Sequence, residues 1–245
     1  MSELKRYDMI QQCIDVIKKK KDKVNYVEVG VQTGFCFFKI KADNKIAVDP
    51  DFIIKLKNKV KAYIKNFSNF NNKFFELTSD DFFEQQGEYL KAIGGIDVIF
   101  IDGLHLYEQV VTDVENSLKY LNKGGVILVH DCNPLNANAA VRAYTSQEVI
   151  DMNLPGYDYI WNGDVFKAIV KFRATRKDLD IIVINSDHGV GIVKTGTNKN
   201  ILPLTTEQVD TLTYQELEKN RDAYLNLKTP AYFSTFINDL KGETI

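Results

Sequence analysis

The sequence is poor in the residues that build cross-linked or zinc-stabilised folds. Its 245 residues include three cysteines, Cys13, Cys36 and Cys132. None of them has the C-x-x-C spacing of a zinc or redox motif. The sequence therefore gives no indication of a disulfide framework or a zinc site, and we expect a reducing, cytoplasmic setting.

Long apolar runs and an excess of one charge are also missing. No apolar run approaches the roughly 20 residues that span a bilayer, and the polar start "MSELKRYDMIQQC" is unlike a signal peptide. Lys and Arg number 31 and Asp and Glu 33, which gives a formal net charge of -2. This balance provides no global attraction to nucleic acid or to an anionic membrane. We therefore expect neither a membrane span nor a nucleic-acid partner.

Short apolar runs alternate with longer helix-like stretches up to residue 131. The apolar runs are "VNYVEV" (24–29), "KIAVD" (45–49), "KFFELT" (73–78), "IDVIFID" (96–102) and "GGVILVHD" (124–131). The helix-like stretches lie at 4–20, 50–67, 80–93 and 107–121. Strands that alternate with helices predict βαβ units and a parallel sheet. The near-continuous apolar character of the runs is typical of strands buried on both faces.

The pattern changes after residue 131. The expected elements are an irregular segment at 132–160 with one short helix within 137–149, a helix at 163–177, strands at 179–185 and 189–195, and a helical tail at 205–240. Only "SDH" separates the two strands, which predicts an antiparallel hairpin because parallel strands need a longer crossover. The expected organisation is an N-terminal helix (1–23), a main domain (24–197) with an acceptor loop or lid (132–160), and a C-terminal helical extension (198–245).

Reactive side chains gather where the predicted strands end. Open α/β sheets bind ligands beyond the carboxyl ends of their strands. The chain has three histidines, His105, His130 and His188, and each lies at the end of a predicted strand with an Asp nearby. Because all three histidines lie at strand ends, we interpret this edge of the sheet as a functional site rather than as the position of three unrelated structural histidines.

A glycine-containing turn follows the first predicted strand. "EVGVQTG" places Glu28, Gly30 and Gly34 in E-x-G-x-x-x-G spacing, and Asp49 follows about twenty residues later. Glycines let the backbone approach a ligand, and such an acid can bind two ribose hydroxyls. The G-x-G-x-x-G spacing of dinucleotide-binding folds is not present. A tight turn would explain the glycines alone, but the four residues together favour a cofactor site.

These segments resemble the motifs of class I S-adenosylmethionine-dependent methyltransferases. "VEVGVQTGFC" is similar to the first motif, "KIAVDPDF" to the second, "ELTSDDFF" to the third, and "IDVIFIDGLHLYEQVVTDVENSLKYLNKGGVILVHD" to the fourth and fifth. The resemblance covers about residues 24 to 195 and is closest to bacterial small-molecule and glycan O-methyltransferases with a DG-x-H-x-Y signature. It implies a Rossmann-like, seven-stranded, mostly parallel sheet with an antiparallel last strand, helices on both faces and helical terminal extensions.

The resemblance also implies roles for individual residues. In S-adenosylmethionine it assigns the methionine part to Glu28, Gly30 and Gly34, the ribose to Asp49, and the adenine to Ser79 and Asp80. It places Asp102 by the sulfonium and, in metal-using relatives, on a divalent cation such as Mg²⁺ or Mn²⁺. Those relatives take two further ligands from the end of strand five, where this chain has His130 and Asp131. Imidazole is a poor Mg²⁺ ligand, so a hydrogen-bonded pair without metal stays open.

Methylation of a hydroxyl also requires a group that takes its proton. His105 stands three residues after Asp102 and can serve as the base; its alternative role is to cap the following helix. Further candidates for acceptor binding are Trp161, Asp164, Lys167 and His188. Core packing would explain Trp161, and helix capping Asp164, equally well.

We therefore expect an S-adenosylmethionine-dependent O-methyltransferase that acts on a small hydroxylated acceptor, such as a sugar or glycan precursor. The alternatives are an NAD-dependent oxidoreductase, a non-catalytic cofactor-binding module and a nucleic-acid methyltransferase. The glycine spacing argues against the oxidoreductase, and the Asp and His residues at the strand ends argue against a non-catalytic module. The near-neutral net charge argues against a nucleic-acid methyltransferase. The acceptor and the oligomeric state stay open, because loops vary on a shared fold.

Overall fold

The computed structural model describes residues 4–244; positions 1–3 and 245, at the ends of the two expected extensions, lie outside the described residues. The α-helices are α1 (Arg6–Lys18), α2 (Leu56–Lys65), α3 (Ser79–Gln85), α4 (Gly87–Ala92), α5 (Tyr107–Leu118), α6 (Ser146–Asp151), α7 (Phe166–Thr175), α8 (Thr206–Asp210), α9 (Tyr214–Leu225) and α10 (Tyr232–Gly242). The strands are β1 (Asn25–Val29), β2 (Asn44–Val48), β3 (Asn72–Phe75), β4 (Ile96–Ile101), β5 (Leu121–Val129), β6 (Leu179–Ile184), β7 (Val190–Thr195) and β8 (Leu227–Lys228).

The strands form an eight-stranded sheet in the order β3-β2-β1-β4-β5-β7-β6-β8. β1 pairs in parallel with β2 and β4, and β2 pairs in parallel with β3. β6 and β7 are antiparallel, with Leu179 opposite Thr195 and Ile184 opposite Val190. The predicted α/β class, the mostly parallel sheet and the hairpin are confirmed. The predicted count of seven strands is wrong by one, because β8 has two residues and is too short to produce a strand pattern.

Three helix predictions need correction. α2 begins at Leu56 rather than near residue 50, because the Asp49 carboxylate binds the amide of Asp51 and shapes a non-helical turn. The helix expected at 80–93 is two helices, which meet where Gln86 leaves helical geometry. The short helix expected within 137–149 begins only at Ser146, after the Thr145 cap.

The chain divides into two compact units, each of which is described by itself. The β1 unit comprises Leu4–Gly103, Thr112–Leu128 and the residues from Ser234 onward. The β6 unit comprises Leu104–Val111 and Val129–Phe233. Among residues 4–244, no helix combines the length and the apolar character needed to cross a bilayer.

The core of the β1 unit explains the single acid within β4. Every residue of β1 and β4 is buried, and each buried Val or Ile side chain contributes roughly 1.5–3 kcal/mol. Asp97 interrupts this apolar run, but its carboxylate accepts hydrogen bonds from Lys21 Nζ (2.7 Å) and the Asn25 amide (2.8 Å). A buried charge with two such donors is tolerated inside a core. Asp97 is therefore part of the framework.

In the β6 unit, a buried arginine connects α7 to the tail. Arg173 is 3% exposed, and its guanidinium donates to the carbonyls of Ala223 and Tyr224, the latter at 2.8 Å. Because both carbonyls belong to α9, the helical tail is anchored to the same core as β6 and β7.

Candidate active site

The turn after β1 is shaped by close backbone contacts. Gly30 has a φ of +82°, and its amide donates to the Val48 carbonyl at 2.9 Å. A Cβ at Gly30 would overlap the backbone of Asp102, and one at Gly34 would overlap the Phe38 ring. Gly34 also has a positive φ of +78°. Backbone conformation therefore favours glycine at both positions, and at Gly30 the overlap with backbone atoms excludes any side chain.

Asp49 is held at the end of β2 by backbone amides. Its side chain accepts hydrogen bonds from Gln32 N (2.7 Å) and Asp51 N (2.8 Å), one on each carboxylate oxygen. Each oxygen keeps a further lone pair. The carboxylate is thus oriented by the main chain and can still accept hydrogen bonds from a ligand's hydroxyls.

Glu28 lies in β1 and is 2% exposed. The Tyr26 hydroxyl donates to its Oε2. Burial raises the pKa of Glu28 to about 8, and it also raises the pKa of Tyr26 well above its ordinary value. The Glu28 carboxyl is therefore mostly neutral at pH 7 and can donate a hydrogen bond.

Lys45 is the second perturbed group of this region. It is fully buried, and its Nζ donates to the Phe37 carbonyl at 2.7 Å and to Asn69 Oδ1 at 2.5 Å. Burial lowers the pKa of Lys45 to about 7. Lys45 therefore holds the segment after the glycine turn by hydrogen bonds, and its amino group is only partly protonated near pH 7.

The ends of β3 and β4 carry the other predicted cofactor residues. Thr78 accepts a hydrogen bond from the Asp81 amide (3.1 Å) and so caps α3, which places Ser79 and Asp80 in the first helical turn. Asp102 donates its amide to Val29 O at 2.9 Å, and its carboxylate accepts from Arg6 at 2.8 Å. Sequence reasoning missed Arg6, because no local pattern connects it to a residue 96 positions away.

In the β6 unit, one aspartate binds two of the three histidines. Asp131 has a φ of +59°. Its Oδ2 lies 3.2 Å from His105 Nε2 and 2.9 Å from His130 Nδ1. Its Oδ1 accepts from Asn162 Nδ2 at 2.7 Å. The carboxylate therefore orients both imidazole rings.

His105 is held from two sides. Its Nδ1 lies 3.2 Å from the Trp161 carbonyl, and the two rings are 4.8 Å apart. Trp161 is fixed in turn by a hydrogen bond from Nε1 to Val141 O (2.7 Å). Gly163 has a φ of +64°, and any Cβ there would overlap the His105 backbone.

The capping alternative for His105 is filled by another residue. Asp164 Oδ1 accepts the amide of Tyr107, the first residue of α5, at 2.8 Å. Asp164 is 3% exposed and also binds Arg142 at 3.0 Å, while Lys167 Nζ lies 3.8 Å away and donates to Asp210 O. Asp164 therefore stabilises the start of α5, and sequence reasoning missed Arg142 as its partner.

His130 and His188 lie together at the β6–β7 hairpin. His130 Nε2 is 2.8 Å from the Asp187 carbonyl, and its ring is 6.0 Å from the His188 ring in an edge-on arrangement. Asp187 and His188 both have positive φ, as the central residues of a type I′ hairpin turn do. Both ring nitrogens of His130 are thus engaged.

Asn162 is a polar residue of this site that sequence reasoning did not single out. It is 1% exposed, and its Oδ1 has no hydrogen-bond partner within residues 4–244. Buried acceptors are rarely left unpaired, and each one calls for a partner that protein atoms do not supply. Its position in "WNGD", beside Trp161, is the only sequence feature that could have indicated it.

The predicted metal ligands are divided between the units. Asp102 belongs to the β1 unit, whereas His130 and Asp131 belong to the β6 unit. Each already has protein partners: Arg6 for Asp102, Asp131 and Asp187 for His130, and three donors for Asp131. A cation bound by His130 would have to displace one of its two hydrogen bonds.

Comparison with known proteins identifies the type of domain. Residues 27–132 match the family model Methyltransf_24, described as a methyltransferase domain. An uncharacterized protein of Acanthamoeba polyphaga mimivirus is 28% identical over 143 residues, which cover 56% of this chain and 65% of that protein. The chain thus spans about two-thirds of that relative's length.

Solved structures share the fold at low sequence identity. An O-methyltransferase from Bacillus cereus, in complex with S-adenosylhomocysteine, has a TM-score of 0.50 at 13% identity, over 79% of this chain and 83% of that one. The O-methyltransferase TomG from Streptomyces achromogenes, in complex with S-adenosylmethionine, has a TM-score of 0.50 at 10% identity, over 78% and 81%. Residues 27–132 therefore match a methyltransferase domain, and the chain shares the α/β fold of these two O-methyltransferases.

Proposed function

We propose that this protein is an S-adenosylmethionine-dependent O-methyltransferase. The observation that carries the proposal is the glycine turn and backbone-held Asp49 of the β1 unit, inside the segment that matches a methyltransferase domain. Gly30 lets the turn after β1 pack against the backbone of Asp102, Asp49 offers acceptors for ribose hydroxyls, and Glu28 can donate from its neutral carboxyl. Ser79 and Asp80 are proposed to contact the adenine, and Asp102 to face the sulfonium. The bound cofactor supplies an electrophilic methyl group.

His105 is the proposed proton acceptor. When its Nε2–H donates to Asp131, the lone pair is on Nδ1, which can take the proton of an acceptor hydroxyl. In this tautomer Nδ1 makes no hydrogen bond to the Trp161 carbonyl, because both are acceptors, and the acceptor hydroxyl would take the place of that carbonyl beside Nδ1. Asp102 precedes His105 by three residues, which span at most about 11 Å of extended chain.

The acceptor is proposed to be small and hydroxylated, as a sugar or glycan precursor is. One support is the unpaired Asn162 Oδ1, which can accept a hydrogen bond from a hydroxyl group. The other is the Trp161 ring, because aromatic surfaces are typical of sugar sites. His188 and Lys167 are candidate lining residues, and residues 132–160 the candidate acceptor loop. The three cysteines are buried and form no disulfide within residues 4–244, which fits the proposed cytoplasmic setting.

A divalent cation at Asp102, His130 and Asp131 is a separate proposal, and the present contacts favour the alternative without metal. In that alternative His130 and Asp131 form a hydrogen-bonded pair that orients His105. We expect activity to survive exhaustive chelation. Activity that disappears with a chelator and returns with Mg²⁺ or Mn²⁺ would instead establish the cation.

Two measurements test the function. Calorimetry should show micromolar binding of S-adenosylhomocysteine and none of NAD; tighter binding of NAD would refute the cofactor assignment. Methyl transfer to a panel of sugars and sugar nucleotides, with phenols as the comparison class, tests the acceptor. Transfer to phenols alone would overturn the sugar proposal but preserve the enzyme class.

The base has its own test. His105→Ala should lower turnover by roughly 10²–10⁴-fold and leave cofactor affinity nearly unchanged, because it removes only proton transfer. Lys199→Ala, at an exposed position outside the proposed site, is the control and should keep wild-type turnover. Wild-type turnover in His105→Ala would remove this residue from the mechanism.

A further inference from the structure

Residues 52–75 of the β1 unit present an apolar surface that lies outside the set of residues proposed for methyl transfer. α2 contains no buried residue. Five apolar side chains between 52% and 78% exposed, called here the α2 face, are Leu56, Val60, Ile64, Phe67 and Phe70. They line a groove together with Lys59 and Tyr63. Soluble proteins seldom expose so many large apolar side chains side by side unless the surface has a partner.

The same segment is strongly basic. Residues 52–75 contain six lysines and no Asp or Glu, in a chain whose net charge is -2. Lys57, Lys61 and Lys65 recur every fourth residue and form a row along the helix. The apolar row of Leu56, Val60 and Ile64 precedes it by one position and runs beside it. α2 is thus an amphipathic helix with a lysine row next to its exposed apolar row.

We propose that the α2 face docks on an anionic lipid bilayer. Helices with Leu and Phe on one side and Lys on the other lie in the plane of the membrane interface, with the apolar side at the acyl boundary. The lysines then meet acidic headgroups, at about 1 kcal/mol for each basic residue near the surface. The positive charge of the segment is opposite to the negative charge of the bilayer surface. The proposed attachment is peripheral.

The charge also argues against the other occupants. In a two-fold dimer the same patch lies on both subunits, so docking through the α2 face would bring the row of Lys57, Lys61 and Lys65 close to the same row of the other subunit. A protein partner is normally positioned by a polar rim with defined hydrogen bonds. Among the groove residues only Lys59 and Tyr63 carry polar groups. A lipid surface requires no such register.

Vesicle co-sedimentation of the full chain tests the proposal. Wild type should bind phosphatidylcholine vesicles that contain phosphatidylglycerol, should not bind phosphatidylcholine alone, and should dissociate as salt rises. Lys57→Glu/Lys61→Glu should weaken binding by at least about 30-fold, and Ile64→Ser/Phe67→Ser should also release the protein. The control Lys23→Glu/Lys199→Glu makes the same charge change at two exposed positions elsewhere and should bind as wild type does.

Three results would overturn the docking. They are failure to bind anionic vesicles, equal loss of binding in the control variant, and sedimentation velocity showing a dimer that only Ile64→Ser/Phe67→Ser dissociates. Retention on polyglutamate without vesicle binding would assign the lysines to an acidic protein instead. Affinity for S-adenosylhomocysteine, measured on every variant, verifies that the fold is intact and separates this proposal from the enzymatic one.

Discussion

The two units fix their functional groups by different means. In the β1 unit, main-chain amides bind the Asp49 carboxylate, and Gly30 brings the turn against the backbone of Asp102. In the β6 unit, Asp131 is bound by the side chains of His105, His130 and Asn162. One site is defined mainly by backbone geometry and the other by a side-chain network.

This difference determines how each site should respond to substitution. A site defined by the backbone depends on a few positions where any side chain is too large. Substitutions at these positions should lower stability or binding independently of one another. A side-chain network shares one carboxylate among several partners, so the effects of its members should be coupled.

The largest effect is expected for Gly30→Ala. Its Cβ would overlap the Asp102 backbone at a positive φ, so we expect a loss of more than about 4 kcal/mol of stability, with loss of cofactor binding. Gly94→Ala is the matched control: its φ is +89°, but no atom lies within 4 Å of the added Cβ. That variant should lose only about 1–2 kcal/mol from backbone strain. Equal losses in urea unfolding would show that strain, not overlap, fixes the turn.

The next effect concerns coupling in the β6 unit. Asp131→Asn can present an amide N–H to His105 Nε2, which moves the imidazole proton to Nδ1 and removes the base. We expect turnover to fall by about 10²-fold or more, with cofactor affinity unchanged. Asp131→Asn combined with His105→Ala should be no slower than His105→Ala alone. Additive losses in single-turnover kinetics would show that the two residues act separately.

The same contrast explains what the sequence could predict. The strands of the β1 unit, its glycine turn and Asp49 follow from local patterns, because burial of both strand faces and strand-end chemistry are visible in short segments. The His105–Asp131 contact was not predicted as a pair, although both residues were selected. Arg142 and Asn162 were missed, since their partners lie 22 and 31 residues away. β8 was missed because two residues carry no periodicity.

A smaller effect is expected at the ribose-binding position proposed for the β1 unit. Asp49→Ala removes a charged acceptor of hydrogen bonds and should weaken S-adenosylhomocysteine binding by about 1.5–3 kcal/mol, or roughly 10–150-fold. Asp51→Ala is the control, because its exposed side chain lies two residues away and only its amide contacts Asp49. Calorimetry that finds equal losses in both variants would place the ribose elsewhere.

The smallest effect, for each pH unit, is the contribution of Glu28 to the pH dependence of stability. Burial raises its pKa to about 8, from 4.5 for the free side chain. Between these values the folded chain holds a proton that the unfolded chain releases, so stability should fall as pH rises, by about 1.4 kcal/mol for each pH unit. Lys45 acts oppositely above about pH 7, where its lowered pKa leaves the extra proton on the unfolded chain. The interval from pH 5 to 7 therefore avoids Lys45, and a variant that cannot titrate at position 28 separates Glu28 from the histidine side chains.

Glu28→Gln tests this dependence, because the amide retains an acceptor for the Tyr26 hydroxyl but cannot titrate. Urea unfolding between pH 5 and 7 should show that this substitution removes a falling slope of about 1.4 kcal/mol per pH unit relative to wild type. Glu84→Gln, at an exposed position in α3, should leave the wild-type slope unchanged. A slope that survives Glu28→Gln would mean that Glu28 is ionised in the folded protein, and the neutral donor proposed for the cofactor's methionine part would then be wrong.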